Sequence, residues 1–145
     1  MKDRRMGIVV VALIAALTLT SCGGNDDGAG ATGSTGSAQE RPSSTANLSI
    51  AEPKVGQVVH GSKVFLRVKL TGAKLMPATT TDLEPDEGHL HVLLDDELIS
   101  MTQGLEQIIP DVSPGPHRIQ VEFVASDHAP FDPRVVSVVA FEVKP

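Results

Sequence analysis

Cysteine is nearly absent from this chain of 145 residues, which holds a single one, Cys22. No intrachain disulfide can form, so whatever folds is held by core packing alone. Tryptophan and tyrosine are missing and phenylalanine occurs four times, which removes the aromatic platforms on which proteins stack bases or sugar rings. Clustered lysines and arginines are missing as well. Beyond residue 22 the chain carries about −8 charges, and a phosphate backbone is bound by grouped basic residues, so nucleic acid is excluded as a partner. No apolar run reaches the roughly 20 residues of a membrane-spanning helix.

The longest apolar run, Met6–Leu19, follows a short segment with three basic residues, Lys2, Arg4 and Arg5. This is the layout of a signal peptide. The run ends in Leu19-Thr20-Ser21-Cys22, small residues directly ahead of a cysteine. That tetrapeptide resembles the lipobox of bacterial lipoproteins. The resemblance implies a signal peptide over residues 1–21, cleavage before Cys22, and lipidation of the Cys22 thiol as a membrane anchor on the extracytoplasmic side of the cell envelope. An ordinary secretory signal with a chance cysteine is the alternative. Gly23, in place of Asp, is compatible with outward sorting in a two-membrane cell or with a one-membrane cell.

Residues 22–47 are rich in Gly, Ser, Thr, Ala and Asn and hold almost no large apolar side chain. Such a segment buries too little surface to offset the entropy of ordering it. It reads as a flexible tether spanning on the order of 25–30 Å by random-coil scaling.

From Leu48 the pattern changes to short apolar runs between Gly and Pro clusters, without a 3.6-residue stripe, which predicts an all-β domain over residues 48–145. Val64, Leu66, Val68 and Leu70 alternate with Phe65, Arg67 and Lys69, so one face is core and the other solvent. A long acidic loop, Thr71–Gly88, follows, and loops of that length in a compact domain are often functional. His89–Leu94, Glu97–Met101 and His117–Ala125 read as strands, Leu105–Ile109 as a strand or a helical turn, and Arg134–Val143 as the last strand. About seven strands predict an immunoglobulin-like β-sandwich. Gly88-His89-Leu90-His91-Val92, Pro114-Gly115-Pro116-His117 and Asp127-His128-Ala129-Pro130 together resemble a group of small exported bacterial Ig-like domains, mostly uncharacterised. That resemblance supplies a fold and no activity.

Histidine is the one residue type that clusters. If the strand from His89 and the strand from His117 are antiparallel neighbours, His128 falls near His89 and His91, and His117 falls at the opposite end. Leu90, Val92 and Leu94 should face the core, which turns His89 and His91 outward together. His117 shares phase with Ile119, Val121 and Phe123 and should face inward in a structural role, bonded to nearby backbone. Two histidines at i and i+2 of a strand make a workable bite for one ion. With His128, and Asp127, Asp86 or Glu87 as ligand or orienting partner, they would suit Cu(II), Zn(II) or Ni(II). The other reading is a polar cluster that fixes the acidic loop. That loop lacks the spacing of a calcium site. Ser126-Asp127-His128 holds the residue types of a hydrolase triad, but adjacent residues cannot align nucleophile, base and acid. Phe131, between Pro130 and Pro133, is either a contact for a protein partner or a cap on the core.

These readings lead to a lipid-anchored, non-catalytic Ig-like module that binds a protein or envelope ligand; the alternative is a metal-binding envelope protein built on His89, His91 and His128. One prediction follows from Cys22 alone. Cys22→Ser should move the protein from the membrane fraction to the soluble fraction; retention of the variant in membranes would rule out the lipid anchor.

Overall fold

The computed structural model describes residues 40–77 and 83–145. The expected signal peptide, Cys22 and the tether up to residue 39 lie outside the described residues. Among the described residues no helix is long and apolar enough to cross a membrane.

Nine strands run through the described chain: β1 Asn47–Glu52, β2 Val58–His60, β3 Val64–Thr71, β4 Lys74–Leu75, β5 Glu87–Leu94, β6 Glu97–Thr102, β7 Glu106–Ile109, β8 Gly115–Ala125 and β9 Pro130–Lys144. They form two sheets, β1-β3-β7 and β2-β9-β8-β5, with β4 and β6 sharing the remaining edge of β5. This is the expected immunoglobulin-like sandwich. The strands beyond the seven read from sequence are β2 and β4, three and two residues long, too short for alternation to reveal. The segment Leu105–Ile109, open between strand and helical turn, is strand and pairs with β3.

Alternation builds the core. Val64, Leu66 and Val68 of one sheet meet Leu90, Val92, Ile119, Val121 and Phe123 of the other, all 4% exposed or less. Phe131 stacks on Phe123 with ring centroids 5.1 Å apart and is 1% exposed. It therefore caps the core, and the partner-contact reading of Phe131 is corrected: a ring wedged between strands reaches no partner. Asp95 and Asp96 make the β5–β6 turn with φ of 50° and 73°, the left-handed pair that a tight hairpin requires.

The domain also begins earlier than Leu48. Asp86 accepts hydrogen bonds from Ser44 Oγ at 2.7 Å and from the Thr45 amide at 2.6 Å, and Arg41 reaches the turn after β8. Residues 41–45 are tied down by hydrogen bonds, and only Ala46 among residues 40–46 packs against the core, which is why composition alone assigns them to the tether.

β5 and β8 pair antiparallel from Gly88↔Ala125 to Leu94↔Ile119. At the first of these pairs the backbones come so close that a Cβ on Gly88 would overlap the carbonyl oxygen of Val124. Only glycine fits. We expect Gly88→Ala to destabilise the domain by roughly 1–3 kcal/mol, read as a lower urea midpoint at unchanged m-value; an unchanged midpoint would show that the β5–β8 contact is not the constraint described.

Candidate metal centre

Two strands and one turn bring three imidazoles together. Because Leu90 and Val92 point into the core, His89 and His91 share the outer face of the larger sheet. The register sets His89 opposite Val124 and His91 opposite Glu122, so the chain leaving β8 at Ala125 turns directly beside them. In that turn the His128 amide donates to Ala125 O and the Ala125 amide to Ala129 O, both at 3.0 Å. His128 itself has φ 65°.

His89 Nε2 lies 3.1 Å from His91 Nε2 and 3.1 Å from His128 Nδ1, and the third side of the triangle is 3.4 Å. Three ligands at 2.0–2.1 Å from one tetrahedral ion sit about 3.3–3.4 Å apart, close to the spacing found. Hydrogen bonding alone cannot account for it. Each nitrogen either donates or accepts, so among three mutual contacts at least one pairs donor with donor or acceptor with acceptor. A cation takes all three lone pairs at once.

Two of the rings, those of His89 and His91, are pushed toward the neutral form that binds metal. Burial, then the neighbouring His128 and His91, push the His89 imidazole down to about 4. Burial likewise lowers His91, aided by His128 and opposed by the Glu122 carboxylate. Nδ1 of His89 is the only buried side-chain nitrogen or oxygen among the described residues without a hydrogen-bond partner. Leaving it so costs on the order of 1–3 kcal/mol, a cost consistent with a ring positioned for its other nitrogen.

His89 departs from expectation in one respect. It is on the outer face but only 1% exposed, because the His128 ring stands edge-on against it at 4.6 Å. Exposure rises from His89 through His91 to His128, so the triangle is closed from below and open toward solvent. That matches sites that keep a free coordination position more than closed structural ones.

The carboxylates considered as ligands are engaged elsewhere. Asp127 binds Arg41 through both oxygens, at 2.5 and 2.9 Å, and accepts the Ala129 amide. Arg41 also donates to the carbonyls of Ala129 and Pro130. It thereby clamps the turn that presents His128, and Asp127 acts as part of the clamp. Asp86 holds residues 44–45, and Glu87 pairs with Lys74. Ser126 is buried, and His128 Nδ1 faces the other two rings, so the three adjacent residues form no hydrolase triad. Sequence reasoning missed Arg41, which sits in tether-like composition. It also missed Glu122, buried opposite His91 and held by Arg134 at 2.5 and 2.7 Å; the signal for it was one acid inside the otherwise apolar run Val121–Ala125.

His117 lies seven residues before Val124 on β8, at the far end, as expected. Its side chain is 9% exposed. Both ring nitrogens donate, Nδ1 to Asp95 and Nε2 to the Ser113 carbonyl, each at 2.7 Å. Burial opposes a charge on this ring, but these two acceptors outweigh it and raise its pKa. His60 is exposed at the end of β2.

No protein-family model and no curated protein matches the chain. Among solved structures, fibronectin(III)-like modules of Clostridium thermocellum CbhA are similar at 19% identity and TM-score 0.48, covering 67% of this chain and 94% of that one. The PKD domain of human KIAA0319 is similar at 16% identity and TM-score 0.42, covering 82% and 93%. Likenesses this distant carry no argument about activity.

The site makes stability depend on pH. An unfolded imidazole titrates near ~6.5 and folded His89 at about 4, so the unfolded chain takes up the proton first. The contribution is fully present above the unfolded value and lost as pH falls toward the folded one. His91 shifts the same way, whereas His117, raised, works in the opposite direction. For metal-free Glu40–Pro145 we expect His89 to remove at most roughly 2 kcal/mol between pH 7 and pH 5, and His89→Leu to lose clearly less over that interval in urea titrations. Equal losses would contradict neutral burial of His89.

Proposed function

We propose that this protein is a non-catalytic metal-binding module of the cell envelope, lipid-anchored through Cys22, that binds Cu(II) or Zn(II) through His89, His91 and His128. The observation that carries this reading is the triangle of three imidazole nitrogens 3.1–3.4 Å apart. Its open side argues for an ion that exchanges with solvent or a partner, as in carriage or buffering, and against one locked in to hold the fold. The acidic tethered chain suits this role, because negative charge raises the local concentration of cations.

A second reading, a binding module for a protein or envelope ligand, draws support from the open apolar groove between β6 and β7. Leu94, Ile99, Ile108 and Pro110 line it.

Calorimetric titration with Cu(II) and Zn(II) separates the two. The wild-type domain should bind one equivalent with sub-micromolar affinity, and the His89→Ala/His91→Ala variant should lose at least about a hundredfold. The absence of saturable heat in the wild type would sink the metal reading and leave the ligand-binding one.

A further inference from the structure

Methionine occurs four times in the chain. Met1 and Met6 precede Cys22, and the remaining two, Met76 and Met101, both border the histidine triangle. Met101 is the β6 partner of His91 in antiparallel register, and directly opposed residues share a face with Cβ atoms about 4.5–5.5 Å apart. On the same edge of β5, β4 runs parallel with Leu75 opposite Gly88. The Met76 amide donates to Gly88 O at 2.6 Å, which carries the pairing one residue further, level with His89. Leu75 packs against the core, so alternation turns Met76 to the outer face that His89 and His91 occupy. The fold does not need either side chain for its core: Met101 is 55% exposed and Met76 only partly buried.

We infer that the thioethers of Met76 and Met101 complete a copper site, holding Cu(I) beside the imidazoles of His89, His91 and His128. This rests on the reading of the triad as metal ligands and adds which ion it selects. Imidazole serves copper and zinc alike, whereas the soft thioether favours Cu(I) and gives Zn(II) little. The three imidazoles form one wall of the site, from β5 to the β8–β9 turn, and Met76 and Met101 stand beside it on the β4–β6 side of β5.

The test compares the full chain, purified in detergent, with a Met76→Leu/Met101→Leu variant that nearly conserves volume. Cu(I) affinity is measured anaerobically with ascorbate against a chromophoric copper chelator, and Zn(II) affinity against a zinc indicator. The variant should lose at least about tenfold in Cu(I) affinity while Zn(II) affinity stays within about threefold, and X-ray absorption should show a copper–sulfur shell in the wild type that the variant lacks. Unchanged Cu(I) affinity, or no sulfur shell in the wild type, overturns the inference and leaves the triad intact. Equal losses for both ions assign the methionines to the fold and overturn it too. If the wild type binds neither ion, it is the triad reading that fails.

Discussion

The pairing of β5 with β8 is the constraint on which the rest depends. Gly88 against Ala125 fixes the register, and register fixes everything downstream, since a slip of one residue would exchange the faces of the whole strand. Leu90 and Val92 would then point to solvent and both histidines into the core. The same pairing ends β8 beside His89, so the turn that follows has nowhere to go but across the outer face. The core thus positions the site: burial of Leu90, Val92, Val121 and Phe123 is what aims His89 and His91.

Much of this was legible in the sequence because it is local and periodic. Alternation over Val64–Leu70 gave β3, and strand phase with neighbour order brought His128 to His89 and His91 while sending His117 away. What stayed hidden depends on contacts made across long sequence separations. Arg41 lies in a polar, small-residue stretch, and its partner Asp127 is 86 residues away. The burial of His89 follows from a turn folding over it, and alternation says only which face a side chain takes, not what covers that face. β4 escaped because two residues carry no period, and with it went the position of Met76.

Asp127 and Phe131 illustrate how a residue type suggests a role that its surroundings reassign. A carboxylate next to a histidine suits a metal, yet a bidentate arginine is a stronger and more directional partner when one is in reach. Once Arg41 takes both oxygens, the carboxylate has little left to offer an ion. Phe131 follows β8 closely enough that stacking on Phe123 buries it, and a buried ring gains more from leaving water than an exposed contact would supply.

The clamp joins two parts of the chain that composition separates. Arg41 stands where the tether-like sequence meets the domain, and four of its hydrogen bonds go to residues 127–130. His89 and His91 sit on a strand paired on both sides and are positioned by the sheet. His128 is on a turn, whose backbone would otherwise sample more than one conformation, and a ligand that wanders by an ångström weakens a site that needs three nitrogens at once. Two rigid ligands with one tethered by a surface ion pair make a site whose geometry is set mainly by the fold. Its remaining freedom is confined to His128, the most exposed of the three rings and the one nearest the entry path for an ion.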